Sequence, residues 1–296
     1  MQTPAPFEYE RAGSVDDALM LLERHGPEAR LLAGGHSLLP MMKLRLARPE
    51  VLVDINDLTD LAYIRLEGEA IVIGGMTRHA ELLASPVLGE HYAIFHDAER
   101  VIADPIVRNR GTIGGSFCQA DPSEDLAAVG AALRAEMVIR STGGARTVSA
   151  REFHSGPYET VLEPAEILTE IRVPIRPGAG SAYEKIERRV GDWPIAAAGA
   201  FVTLDGDTVT DVGIGLTALG APHFCAPAAE DRLRGQAATE DNVAAAADAA
   251  AEECDPSADQ RGPVDYKRHL ARELTLRALR RSVERARGES TGGGAE

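Results

Sequence analysis

The sequence predicts a mixed α+β protein built as two domains, and three observations carry that reading. Its 296 residues amount to about two domains at roughly 150 residues each. Helix-like and strand-like patterns alternate through the first fifty-odd residues, whereas three strand-like runs and then two helical ones fill the C-terminal part. Between the two regions Pro174, Pro177, Gly178 and Gly180 fall within seven residues, the strongest break in the chain.

Taken in order, Ser14 caps a helix over SVDDALMLLERHG, with acids in its first turn, apolar residues at Val15, Leu19 and Leu22, and Gly26-Pro27 as its stop. A strand at Leu31–Ala33, a helical LLPMMKLRLA and a strand at Val51–Ile55 follow. YIRLEGEAIVIGG reads as a hairpin turning at Glu67-Gly68-Glu69, Thr77 as the cap of a helix RHAELLAS, and His91 to Ala103 as another helix. AAVGAALRAE is helical, MVIR and ARTVS are strands joined by an STGG turn, and ILTEIRVP is a strand. Beyond the break, YEKIERR, IAAAGAFVTL and TVTDVGIGLTAL are strands, the last two joined at Asp205-Gly206-Asp207. Thr239 caps an alanine-rich helix, and a long amphipathic helix carries Leu270, Leu274, Ala278 and Leu279 on one stripe.

Composition excludes several functions. Lys+Arg of 31 against Asp+Glu of 46 gives a formal charge of −15, which disfavours nucleic acid or an anionic membrane surface as partner. Cys118, Cys225 and Cys254 are dispersed and odd in number, so they suit neither a disulfide framework nor a zinc or iron–sulfur ligand set, and any such cluster belongs to another chain. The first twenty residues hold Glu8, Glu10, Asp16 and Asp17 without an apolar segment, and no run approaches the ~18 apolar residues of a membrane span. The expectation is a cytoplasmic protein without membrane insertion.

Two diglycine segments follow strand-like stretches and bring hydroxyl residues with them: Ala33-Gly34-Gly35-His36-Ser37 and Thr112-Ile113-Gly114-Gly115-Ser116. Glycines let successive N–H groups turn into one concavity, and hydroxyls add donors, so such loops hold a diphosphate without lysine. The alternative is a plain turn, the reading given to Gly74-Gly75 and Gly143-Gly144. Neither segment is a G-x-x-x-x-G-K-[ST] loop. Gly213-Ile214-Gly215-Leu216-Thr217-Ala218 matches a relaxed dinucleotide pattern, but Gly220-Ala221-Pro222 follows in place of a helix start, so it reads as a glycine-bearing strand. His36 supports loop shape or a phosphate oxygen. His79, His91 and His96 lack metal-ligand spacing, and Cys118 reads as a small packed side chain.

The stretches AGGHSLLPMMKLRLARPE and GTIGGSFCQADPSEDL together resemble the flavin-binding medium subunit of the molybdenum hydroxylase (xanthine dehydrogenase) family, with a particular likeness to aerobic carbon monoxide dehydrogenases. The likeness continues in the same order through REFHSGPYETVLEPAEILTEIRVP, YEKIERRVGDWPIAAA and RGPVDYK. It implies a two-part FAD-binding domain of the vanillyl-alcohol-oxidase (PCMH) type over residues 1–176, divided near residue 56, then a smaller sheet-and-helix domain over 177–287 and a disordered tail over 288–296, with FAD held noncovalently between the domains. Ala33 to Ser37 and Thr112 to Ser116 correspond to the family's diphosphate-binding loops, Asp125 to an acid on the adenosine side, Lys185 to a lysine near the flavin, and Trp193 to an aromatic side chain against the flavin ring. Ser116 departs from the asparagine common in the carbon monoxide dehydrogenase relatives, yet still donates a hydrogen bond.

The resemblance further implies an oxidoreductase subunit that passes electrons to an external acceptor. An iron–sulfur small subunit and a large subunit with the molybdenum cofactor would be its partners, in a dimer of heterotrimers that can dock peripherally at the inner membrane face. No side chain is then required as an acid–base catalyst. A stand-alone FAD-dependent oxidoreductase and a non-catalytic assembly protein on the same fold are the alternatives.

Overall fold

The computed structural model of the chain describes residues 3–289. The tail expected to be disordered lies, from residue 290 onward, outside the described residues.

The chain begins with β1 (Glu8–Arg11), α1 (Val15–His25), β2 (Ala29–Leu32), α2 (Leu38–Lys43) and β3 (Val51–Asp54). Ser14 Oγ accepts from the Asp17 N–H at 3.0 Å and Gly26 ends α1 at φ +56, the start and stop read from the sequence. Ala18, Leu19, Leu21 and Leu22 of α1 are buried with Val51 and Val53 in one apolar cluster. The strands form a parallel sheet in the order β1-β3-β2. β1 is an addition to the sequence reading: its EYER has no apolar alternation, and its partner lies more than forty residues away. α2 stops at Lys43, short of the helix expected through Ala47, where Arg45 turns left-handed at φ 59.

The middle of the chain runs through β4 (Ile64–Glu67), β5 (Ala70–Gly74), α3 (His79–Ala84), α4 (Pro86–His91), α5 (Ala93–Val101), α6 (Pro105–Arg108), α7 (Ile113–Gln119) and α8 (Asp125–Leu133). It continues with β6 (Glu136–Ser141), β7 (Gly144–Ser149), α9 (Ala150–Phe153), the short pair β8 (His154–Gly156) and β9 (Glu159–Thr160), and β10 (Ile167–Pro174). An antiparallel sheet in the order β4-β5-β10-β6-β7 results. Two expectations are corrected. Thr77 caps no helix: its hydroxyl donates to the Tyr63 carbonyl and accepts the Tyr63 N–H, while the Glu81 carboxylate takes the Arg78 N–H at the start of α3. The helix expected over 91–103 is α5 alone, and Ala103 is left-handed at φ 48.

The remainder forms β11 (Gly180–Glu187), β12 (Pro194–Asp205), β13 (Thr208–Thr217), α10 (Pro227–Leu233), α11 (Glu240–Glu253) and α12 (Val264–Ala286). The strands pair antiparallel as β11-β12-β13, turning at Gly206 with φ +56. Leu270, Leu274, Ala278 and Leu279 of α12 are buried against this sheet, as their spacing predicts. The other face of β12 and β13 receives α8, every residue of which is buried. Cβ atoms on Gly213 and Gly215 would lie 2.1 and 1.9 Å from the Ala132 and Ala128 carbonyl oxygens, so the G-x-G pattern is a packing surface inside β13. Glu230 of α10 tightens this seam, accepting from Arg134, Arg151 and the Ile214 N–H. No helix among the described residues is long and apolar enough to cross a membrane.

Candidate functional site

The turn after β2, the first turn of α7, the start of α8, strand β11 and the segment before β12 wall one cleft of about 1290 Å³, above the usual size of a small-molecule pocket. Ala33, Gly34, Gly35, His36, Ser37, Thr112, Gly114, Gly115, Ser116, Asp125, Lys185 and Trp193 all line it. Ile113 does not: its side chain is buried in the core behind the cleft wall.

The two glycine segments abut. A Cβ on Gly34 would sit 2.2 Å from the Arg110 carbonyl oxygen and 2.8 Å from Gly111 Cα, so only glycine permits the approach. Gly35, at φ +80, then swings the chain into α2. Among the described residues, the N–H groups of Gly34, Gly35, His36 and Ser37 donate to no protein acceptor. Four successive donors free at a cleft wall make an anion cradle.

The second segment is built differently from the loop the sequence suggested. Thr112 is the N-cap of α7, and its Oγ1 accepts the Gly115 N–H at 3.1 Å. The N–H groups of Ile113, Gly114 and Ser116 are taken by the carbonyls of Thr77, Gly75 and Thr112. This segment therefore offers the cleft its Ser116 hydroxyl and a Cβ-free surface at Gly115; of its five amides only that of Thr112 lacks a protein acceptor among the described residues.

Asp125 and Lys185 form a buried ion pair at 2.9 Å, and Asp125 also accepts from Tyr183 Oη at 2.6 Å. Lys185 Nζ donates in addition to the Val101 carbonyl at 3.0 Å. Burial pushes the Asp125 carboxyl up, against the pull of Lys185 and Tyr183. The resemblance implies an adenosine-side acid and a flavin-side lysine; in this structure the two side chains pair with each other on the cleft wall. Trp193 is 40% exposed beside Gly191, whose Cβ would meet the Ala103 carbonyl oxygen at 2.8 Å.

Sequence reasoning missed a second buried network in the same wall. His79 Nδ1 lies 3.1 Å from both carboxylate oxygens of Glu99, and its Nε2 lies 3.1 Å from Ser116 Oγ. Glu99 is fully buried on the face of α5 that also buries Ile94, Phe95 and Ala98. The signal was an acid inside an apolar stripe. Glu124, buried at the start of α8, is pushed up to about 8 by burial. Cys118, expected to be packed, is exposed at the cleft wall. His36 is exposed at the first segment. Among the described residues no three His, Cys, Asp or Glu side chains form a metal-holding group.

Comparison with known proteins bears on this cleft. Residues 5–176 match the family described as the FAD binding domain in molybdopterin dehydrogenase, and residues 181–282 match the CO dehydrogenase flavoprotein C-terminal domain. The carbon monoxide dehydrogenase medium chain of Hydrogenophaga pseudoflava is 45% identical over 93% of this chain and 96% of its own length. The glyceraldehyde dehydrogenase medium chain of Sulfolobus acidocaldarius is 35% identical over 94% of this chain and 98% of its own. A solved structure of carbon monoxide dehydrogenase from Hydrogenophaga pseudoflava superposes with a TM-score of 0.92 at 46% identity, covering 96% of this chain and 99% of that one.

The residues present fit FAD. The partnerless N–H groups of Gly34 to Ser37 suit the oxygens of a diphosphate, and the Cβ-free walls at Gly34 and Gly115 permit close approach. With fold, cleft and relatives in agreement, the chain belongs to the FAD-binding flavoprotein subunits of the molybdopterin dehydrogenase family, oxidoreductase components of the carbon monoxide dehydrogenase type.

Proposed function

We propose that the chain holds one FAD noncovalently in this cleft and serves as the electron-exit subunit of a molybdenum hydroxylase resembling carbon monoxide dehydrogenase. Electrons reach it from iron–sulfur clusters on a small partner subunit, after substrate oxidation at the molybdenum cofactor of a large one, and leave to an external acceptor. Bound FAD supplies the exchange between one-electron and two-electron transfer at that junction. The rest is the work of this chain's residues. Gly34 to Ser37 grip the diphosphate, Ser116 and Gly115 close over it from the second segment, and Trp193 packs its ring against the flavin. The Asp125–Lys185 pair holds β11 against the start of α8 and keeps that wall of the cleft in place.

The observation that carries the proposal is the set of four partnerless N–H groups on a turn whose Gly34 abuts Arg110 and Gly111, the residues leading into the second glycine segment. The relatives' names support the multi-subunit setting, since two of them are medium chains of larger dehydrogenases. Because those two differ in the substrate they are named for, we place substrate selection on the molybdenum chain. We further propose a division into an FAD domain over 1–176 and a second domain over 177–287, and a cytoplasmic dimer of heterotrimers that can rest on the inner membrane face.

Purification of the assembly from its native cells tests this. Flavin, molybdenum and iron present together in fixed ratio to this chain support the proposal. Turnover of an organic substrate by the isolated FAD-loaded chain would favour a stand-alone oxidoreductase, and an assembly without flavin would favour a non-catalytic role.

A further inference from the structure

The His79–Glu99 pair has no part in the binding scheme above, yet it ends on a hydroxyl that does. His79 is 4% exposed and Glu99 is 0% exposed, so the imidazole cannot rotate to water, and its two nitrogens are committed to Glu99 and to Ser116. A Cβ on Gly111 would meet His79 Cδ2 at 2.7 Å, so the backbone leading into α7 also clamps the ring. Ser116 has one proton to give, and the protonation of Nε2 decides its direction. With Nε2 bare, Ser116 donates to it and turns only lone pairs toward the cleft. With Nε2 protonated, the imidazolium donates to Ser116 Oγ, and the hydroxyl proton is free for an acceptor in the cleft.

We propose that the buried His79–Glu99 pair is a positioning device that sets Ser116 as a donor toward the cleft, so that the grip on FAD depends on a proton carried by His79. The proposal rests on FAD occupying this cleft. Glu99, Glu124 and Asp125 all favour the imidazolium and outweigh the cost of burial, raising His79 above its ordinary value. Around them, Arg108 faces Glu99, Asp121 faces Glu124, and Lys185, Tyr183 and Glu187 face Asp125. Glu124, pushed up to about 8 by burial, also accepts from the Ser116 hydroxyl and competes with the cleft for its proton, so the Glu124→Gln variant below separates its titration from that of His79. The donor state is thus present at low pH and is lost as pH rises through the raised value of His79.

The test follows free-flavin fluorescence on dilution of the native assembly from about pH 6 to about pH 9. The wild type should bind FAD about tenfold more weakly at the alkaline end, the scale of one charge-assisted hydrogen bond. Ser116→Ala should be weaker by about tenfold at the acid end and show no pH slope. Ser116→Asn, whose amide carries its own donor, should bind FAD without the pH slope. Glu124→Gln should keep the slope. A flat wild-type profile, or a Ser116→Ala variant with the wild-type slope, overturns the positioning role and leaves FAD binding intact. A wild-type assembly without flavin at any pH overturns both.

Discussion

Replacing Gly34 by alanine adds one methyl where the structure has no room for it. The new Cβ would lie 2.2 Å from the Arg110 carbonyl oxygen and 2.8 Å from the Arg110 carbonyl carbon and Gly111 Cα. All three atoms are backbone, so no side chain can swing aside. An ordinary contact begins near 3.4 Å, so the two glycine segments must part by about 1 Å. Such a shift moves the N–H groups of Gly34 to Ser37 away from hydrogen-bond distance to a diphosphate. Each bond to a charged oxygen is worth about 1.5–3 kcal/mol, so losing one or two costs roughly 2–4 kcal/mol of FAD affinity, on the order of 30-fold to 1000-fold. Flavin per chain in the purified assembly, by absorbance and by fluorescence of released FAD, reads the effect, and thermal unfolding of the same sample shows that the fold survives. Gly143→Ala, with only Ser141 Oγ near at 3.6 Å, is the control and should keep its flavin. A Gly34→Ala assembly with full flavin and unchanged affinity would refute the reasoning.

Other perturbations read other parts of the fold. Gly89 lies exposed in α4 with nothing within 4 Å of a new Cβ, so Gly89→Ala should stabilise the chain by about 0.5–1 kcal/mol in denaturant titration and leave flavin content alone. Glu230→Gln leaves the Arg151 and Arg134 guanidiniums short of a buried counter-charge, and should cost roughly 3 kcal/mol, read as a melting temperature lower by roughly 5–10 °C. Tyr9 Oη donates to Asp54 at 2.6 Å and, with Asn56, holds that carboxyl below its ordinary range against the pull of burial. That contribution is present above the unfolded value and is lost as pH falls through the lowered one, so the stability gap between wild type and Tyr9→Phe should close below about pH 4 in acid titrations.

What could be read from the sequence was what is locally encoded. Ser14 and Gly26 fix α1 within a few residues of themselves, and Glu67-Gly68-Glu69 turns its hairpin through Gly68 at φ +60. What escaped depends on partners far along the chain. β1 exists because β3 lies beside it, and Thr77 serves Tyr63 instead of the helix that follows it. In the site, both diglycine segments fall on the wall of one cleft, but their sequences are alike while their backbones differ: one ends in partnerless amides, and the other is a helix turn capped by Thr112. Asp125 and Lys185 are sixty residues apart, and nothing local to either announces that they neutralise each other. Glu99 was legible in principle, since it interrupts the stripe Ile94, Phe95, Ala98, Ile102, and a buried acid in such a stripe demands a partner.

The central claim is that Gly34 to Ser37 hold the diphosphate of FAD through their main-chain amides. A structure of the native assembly carrying its flavin tests it most directly: the account predicts diphosphate oxygens within about 3.2 Å of those nitrogens, whereas flavin bound with its phosphates elsewhere, and these amides facing only water, would contradict it.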